Sequence, residues 1–174
     1  MQKTNIFKTT FFSLLLLGTV VSVNAQQHAN LWTKTTKVGV NNKINTSSLP
    51  INFDVYQLDI ATLQNLLNQA PKRFSQNTST LILGFPTGNG TIENFEVFDA
   101  SIFHPDLAAK YPEIKSFFGK STTTASTIRF SFSPQKGLSS MLFRLDRKSV
   151  FIEPYSTDLT SYAVYSRKTE EVTQ

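Results

Sequence analysis

The chain has 174 residues, a formal net charge of +5 and no cysteine. The missing thiol excludes a disulfide, a cysteine nucleophile, a zinc–thiolate site and a lipid anchor on cysteine. The basic residues are scattered rather than gathered into the concentrated stripe that nucleic-acid binding requires, so we expect no nucleic-acid partner.

The first 25 residues have the pattern of a cleavable secretory signal peptide. Lys3 and Lys8 precede an apolar run at residues 11–23, and the small residue Ala25 fits the position before a signal-peptidase cut. The apolar run is shorter than the stretch of about 20 residues that spans a bilayer. We therefore expect a secreted or periplasmic protein that begins at Gln26 and has no membrane contact after cleavage.

The first part of the mature chain is expected to change from loose to ordered structure. Residues 26–48 are polar and predict a flexible lead-in, in which Trp32 could dock on the domain that follows. Residues 52–58 alternate polar and apolar side chains, which predicts a strand. Asp59 is then a candidate N-cap of an amphipathic helix that ends before Pro71. The expected core positions of this helix are Leu63, Leu66 and Leu67.

The remaining chain predicts antiparallel strands and one short helix. Residues 80–85 and 91–98 flank a glycine-rich turn and predict a hairpin. A short helix is expected at residues 104–111, bounded by Pro105 and Pro112. A meander and a closing strand are expected at residues 127–133, 138–145, 149–153 and 161–167. The predicted fold is α+β, mostly antiparallel sheet with one amphipathic and one short helix, over residues 49–168. Residues 169–174 form a polar tail or processing linker.

The inventory of catalytic side chains is thin. The two histidines, His28 and His104, have no spacing that suits a zinc site, and the sequence has neither a His-Glu-x-x-His run nor a Gly-x-Ser-x-Gly elbow. His104 precedes Pro105, a position that is more typical of a surface residue at a helix start. The acidic residues are spread along the chain and favour no catalytic pair. We expect no enzyme activity, no cofactor, no metal site and no catalytic residue in this chain.

Residues 98–119, FDASIFHPDLAAKYPEIKSFFG, are the most informative stretch. They resemble a phrase close to P-x-L-A-A-K-(F/Y)-P-E-I-K, followed by an aromatic residue and glycine. That phrase occurs in the N-terminal propeptides of secreted reprolysin-type zinc metallopeptidases from Bacteroidetes-like bacteria. Further segments resemble those propeptides in the same order, so that the resemblance covers residues 49–168. These segments are residues 81–90, 128–134, 150–155 and 162–168.

The resemblance implies a non-catalytic propeptide that assists folding of a secreted zinc metalloendopeptidase, inhibits it, or does both. The partner is the catalytic domain, in cis or in trans. The family's zinc-binding motif lies downstream of the resembling segment, so no catalytic residue carries over. Without a cysteine, inhibition is expected to be steric or to use a carboxylate, a histidine or backbone groups.

The same phrase gives the candidate contact residues. Its polar positions, or the edge of the following strand, are expected to meet the catalytic domain, while Leu107, Tyr111 and Ile114 are expected in the core. The candidate contacts are Asp106, Lys110, Glu113 and Lys115. The alternative function is an exported β-rich binding or adhesion module without a protease partner. A small hydrolase is the least supported reading.

Overall fold

The computed structural model describes residues 27–37, 40–44, 48–75, 79, 81–102, 105–146 and 148–168. The predicted signal peptide with Ala25, His104 and the predicted tail at residues 169–174 lie outside this part of the chain. The described strands are β1 (Gln27–Ala29), β2 (Trp32–Thr35), β3 (Asp54–Leu58), β4 (Leu81–Pro86), β5 (Ile92–Asp99), β6 (Lys115–Ser121), β7 (Thr127–Ser133), β8 (Gly137–Phe143), β9 (Lys148–Pro154) and β10 (Ser161–Lys168). The described helices are α1 (Ile60–Leu67) and α2 (Pro105–Lys110).

All ten strands belong to one sheet, in the order β1-β4-β5-β6-β7-β8-β9-β10-β3-β2. Strands β4 to β10 follow one another as an antiparallel meander. Strand β3 pairs antiparallel with β10, so the beginning and the end of the domain lie side by side. Only the pairing of β1 with β4 is parallel among the described strands.

The two ends of the sheet are held together by one short segment, residues 27–35. Strands β1 and β2 stand at opposite ends of the sheet order, yet only Asn30 and Leu31 separate them in the chain. Strand β1 pairs with β4 and β2 pairs with β3. The indole Nε1 of Trp32 also donates a hydrogen bond of 2.9 Å to the carbonyl oxygen of Gly84 in β4. The sheet is therefore curled, and residues predicted as a flexible lead-in are part of it.

The predicted α+β class is wrong, because the fold is largely β. In the described residues the helices span eight and six residues, against ten strands, and they form no layer of their own. Helix α1 begins after Asp59, whose side chain accepts a 3.0 Å hydrogen bond from the backbone N–H of Thr62. Its buried leucines join the core formed by the strands. The amphipathic pattern therefore marks a short helix whose leucines pack inside the curled sheet.

Aromatic rings form a connected part of the core, which otherwise consists of aliphatic side chains. The ring centroid of Trp32 lies 5.6 Å from that of Tyr162 in an edge arrangement. Phe130 lies 5.0 Å from both Phe85 and Phe117, and it is stacked on the second. Such pairs contribute about 0.5–1.5 kcal/mol each beyond the burial of their area. These contacts tie β2, β4, β6, β7 and β10 to one interior.

Tyr162 is a structural residue of this interior. Its hydroxyl oxygen accepts a hydrogen bond of 3.2 Å from the backbone N–H of Leu138. Burial raises the pKa of Tyr162 to about 12, and the hydrogen bond from Leu138 opposes this shift only in part. The phenol therefore stays neutral at any pH at which the protein would work.

Gly119 in β6 is required by close packing. A Cβ at this position would lie 2.7 Å from Cγ2 of Ile128 and 3.0 Å from Cβ of Phe95. Both neighbours are fully buried and belong to the paired strands β7 and β5. Neither atom can move away by a simple side-chain rotation, so only hydrogen fits here.

Trp32→Phe should destabilise the fold by about 1–3 kcal/mol, because it leaves the buried carbonyl of Gly84 without its donor. The free energy of unfolding should be measured in denaturant by circular dichroism, since Trp32 is the sole tryptophan. Thr33→Ala, at the exposed neighbouring position, is the control and should change stability by less than about 0.5 kcal/mol. Equal stability of the two variants would contradict the role given to the indole.

Gly119→Ala should destabilise the domain by about 1–3 kcal/mol through overpacking. Ile128→Leu removes the Cγ2 atom that the new methyl group would meet, so the double variant should be more stable than the two single effects predict. The check is a double-mutant cycle of unfolding free energies. Strict additivity would show that the clash with Ile128 is not the cause.

Candidate functional site

The structure divides the four predicted contact residues between two places. Asp106 and Lys110 are exposed on α2, where the Lys110 Nζ lies 5.5 Å from the ring centroid of Tyr111. Glu113 and Lys115 are partly buried and line a groove beside α1, where the Lys115 Nζ donates a 3.1 Å hydrogen bond to Oδ1 of Asn68. Their contact with a catalytic domain stays a prediction. The predicted strand that follows the phrase is β7, and it is paired on both sides, so its edge is not available to a partner.

The apolar residues of the same phrase are not in the core, which corrects the sequence-based expectation. Leu107, Tyr111 and Ile114 are 43%, 39% and 37% exposed. The physical reason is the length of α2, since a six-residue helix at the sheet margin has too little surface to bury one side. Nearby in the chain, Ile102 is 89% exposed. This part of the surface is therefore more apolar than an isolated domain requires.

Asp99 organises the margin next to α2. Its backbone N–H donates to the carbonyl of Pro71 at 2.8 Å, and its carbonyl accepts from the N–H of Arg73 at 2.9 Å. Its carboxylate forms a 2.6 Å ion pair with Lys72 and accepts a 2.9 Å hydrogen bond from the N–H of Ser101. Burial acts to raise the pKa of Asp99, but the hydrogen bonds from Lys72 and Ser101 outweigh it, so the pKa lies below its ordinary value.

Beside this margin lies a depression of about 360 Å³ on the outer face of the sheet, which we call the outer groove. It is lined by Arg73, Ala100, Ile102, Ser116, Phe117, Phe118, Arg129, Phe130 and Ser131. The guanidinium carbon of Arg73 lies 3.8 Å from the ring centroid of Phe118, a cation–π contact. Phe118 and Arg129 are direct cross-strand partners. The lining contains two guanidinium groups and no carboxylate.

The outer groove continues into a row of paired residues across six strands of the outer face, β5 to β10. The row runs Phe98, Phe118, Arg129, Met141, Phe151, Tyr165. At its far end Phe151 and Tyr165 are stacked with ring centroids 5.5 Å apart. The guanidinium carbon of Arg167 lies 5.6 Å and 5.2 Å from their centroids. Aromatic and cationic groups thus form one platform, whose composition suits binding rather than catalysis.

A separate polar opening of about 390 Å³ lies where the β4–β5 turn faces β10. Its lining residues are Gly88, Asn89, Arg144, Asp146, Lys148 and Ser166. Arg144 is already paired with Asp146, at 3.5 Å from Nε to Oδ1. Among the described residues no three or more histidine, cysteine or acidic side chains come close enough to hold a metal ion.

Asp99→Asn should destabilise the fold by an amount that depends on pH. A carboxylate whose pKa is lowered by folding stabilises the native state above its unfolded pKa of about 3.9, and this contribution is lost as the pH falls through the lower folded value. The stability difference from wild type should be constant above about pH 5 and should shrink in more acidic buffer. Lys72→Gln should reduce this pH dependence. The measurement is denaturant unfolding between pH 2 and pH 7; a difference independent of pH would contradict the assignment.

No described helix has the length and apolar character needed to cross a bilayer. Comparison of the chain with known protein families, with curated proteins and with solved structures found no match. The resemblance to metallopeptidase propeptides therefore stays a prediction from the sequence.

Proposed function

We propose that this chain is a propeptide-type, non-catalytic domain that assists folding of a secreted zinc metalloendopeptidase, inhibits it, or both. The observation that carries the proposal is the exposure of the apolar residues in the family-like phrase. Leu107, Tyr111 and Ile114 fit the phrase, yet the domain's own core does not use them. A constraint on exposed apolar positions is better explained by a partner surface than by packing.

Burial of these side chains by a partner would be favourable. Apolar area removed from water contributes roughly 25 cal/mol per Å², and apolar anchors at the centre of an interface usually dominate its affinity. The neighbouring charges of Asp106 and Lys110 would then lie at the rim. Charges at a rim mainly set the rate of encounter and the orientation of docking.

The way in which such a domain would inhibit follows from what it lacks. The sequence has no cysteine to bind the partner's zinc, and the described residues present no metal-binding cluster. Addition of a partner strand to a sheet edge also finds little room, because residues 27–35 bridge the two ends of the sheet. We therefore propose that inhibition is steric, with the α2 side of the domain covering the catalytic cleft.

A second candidate function is an exported binding module without a protease partner. The row of aromatic and cationic residues across the outer face favours it. The partly exposed Phe151 and the exposed Arg167, which lie against the buried ring of Tyr165, form a surface of the kind that binds extended ligands. This candidate differs from the first in its contact surface, because it does not use α2.

The test titrates a reprolysin-type catalytic domain from the same organism with the purified chain. Wild-type chain should inhibit, and the double variant Leu107→Ser with Ile114→Ser should inhibit about tenfold less strongly or worse. Lys110→Glu with Lys115→Glu should weaken inhibition as well, mainly through slower association. The control is Ile51→Ser, which removes an equally apolar side chain that is 93% exposed in a different part of the surface. Circular dichroism verifies that each variant is folded.

Two results would contradict the proposal. If wild-type chain neither inhibits the catalytic domain nor raises its refolding yield, the propeptide function fails and the binding module becomes the better candidate. If Ile51→Ser weakens inhibition as much as the α2 double variant does, the contact surface is not α2.

A further inference from the structure

The outer groove carries positive charge that the described residues do not neutralise. Arg129 is exposed and has neither a hydrogen bond nor an ion pair with any described residue. Among the described residues, the Arg73 guanidinium makes cation–π contacts only, with Phe118 at 3.8 Å and Phe74 at 5.1 Å. A guanidinium has five N–H donors and no acceptor. The groove therefore offers many donors to an external group.

The carboxylates on neighbouring strands are already engaged elsewhere. Asp99 is bound by Lys72 and Ser101, and Glu96 accepts from the backbone N–H of Ser79 at 3.1 Å. Glu93 accepts from Ser121 and Thr124 at 2.6 Å and 2.5 Å. None of these three acids lines the groove. The fold thus keeps its own carboxylates away from the two guanidinium groups.

The remaining lining indicates what kind of anion fits. Ser116 and Ser131 add hydroxyl groups, while Ala100, Ile102 and Phe118 supply apolar surface. Ile102 is almost fully exposed, so it is available for contact with an apolar side chain of a bound ligand. A small, strongly hydrated anion would leave this surface without a partner. A peptide that carries both a carboxylate and an apolar side chain would use both parts of the lining.

We propose that the outer groove binds an acidic peptide segment, with a carboxylate side chain at Arg73 and Arg129 and an adjacent apolar side chain against Ile102. Guanidinium and carboxylate match in planar, two-point geometry, and charge-assisted hydrogen bonds are stronger than neutral ones. The inference rests on the proposed function in one respect, since it assigns the acidic segment to the partner catalytic domain. It names the chemistry by which the partner is recognised beyond α2.

The experiment is an NMR titration of the ¹⁵N-labelled chain with the peptide acetyl-Glu-Phe-Asp-Leu-amide. Its matched control is acetyl-Gln-Phe-Asn-Leu-amide, which has the same shape without charge. The acidic peptide should shift the amide signals of Ser116, Phe118 and Ser131, and its affinity should fall as salt is added. Arg129→Gln should weaken it about tenfold. Lys120→Gln is the control, because it removes one positive charge from the same face outside the groove.

The outcomes separate this inference from the proposed function, since no peptidase is present in the titration. Equal binding of the neutral peptide, equal weakening by Lys120→Gln, or no binding at millimolar peptide would each overturn the groove assignment and leave the inhibition experiment unaffected. Binding of inorganic phosphate as tight as that of the acidic peptide would overturn it as well. Arg129→Lys, which retains charge without the planar fork, should bind with intermediate affinity.

Discussion

The fold depends on how residues 27–35 satisfy both ends of the curled sheet. An open sheet exposes unpaired backbone groups at its edges, and these groups invite pairing with other chains. Here the same short segment pairs with β4 through β1 and with β3 through β2. The indole of Trp32 adds a hydrogen bond across to the carbonyl oxygen of Gly84 in β4. Because the ends meet, the inward faces of the strands enclose the main core, while Val40, Val55, Tyr155 and Ala163 form a second, smaller buried cluster.

The enclosed core leaves function to the outer surface. Aromatic rings in mutual contact and the leucines of α1 fill the interior of the described sheet. Strand β6 connects interior and exterior directly, because successive residues of a strand point to opposite faces. Phe117 is stacked on Phe130 inside, while Phe118 carries the guanidinium of Arg73 outside. Two successive residues near the end of the family-like phrase therefore differ in role. Phe117 packs in the core, and Phe118 faces the outer groove.

The sequence predicted the regular strands well and the special elements poorly. Alternation of polar and apolar residues and glycine-containing turns located β3, β4, β5, β7 and β10 to within a few residues. Residues 27–35 were missed because strand pairing, not apolar content, orders them. Strand β6 was missed because its Ser, Gly and Lys residues are typical of a loop, and their role follows from neighbours such as Ile128. The α+β class followed from giving weight to the two predicted helices, although both are short and form no layer of their own.

The candidate site lay beyond sequence reasoning for a different reason. Arg73 and Arg129 are far apart in the chain, and only Arg129 lies in one of the segments that resemble the propeptides. They meet because Arg73 is anchored to Asp99 at the end of β5, while Arg129 is fixed by its register opposite Phe118. Only the sheet order β5-β6-β7 brings the two guanidinium groups to one groove. The polar residues of the phrase could be identified from the sequence. Their division could not, with Asp106 and Lys110 exposed on α2 and Glu113 and Lys115 lining the groove beside α1.

The exposed apolar residues and the unneutralised arginines belong to one continuous margin of the molecule. Lys72 and Asp99, which form an ion pair, line a further groove that lies next to α2 and is distinct from the groove beside α1. The adjacent Arg73 lines the outer groove. Between the groove next to α2 and the outer groove, the backbone N–H of Ala100 donates a 2.8 Å hydrogen bond to the carbonyl oxygen of Ser116. This backbone pairing separates the two grooves. A partner that covers Leu107 and Tyr111 would therefore extend over Ile102 towards Arg129. On the proposed function, steric cover by α2 and recognition of an acidic segment would be two parts of one footprint, in which the apolar residues would supply affinity and the arginines would fix its position.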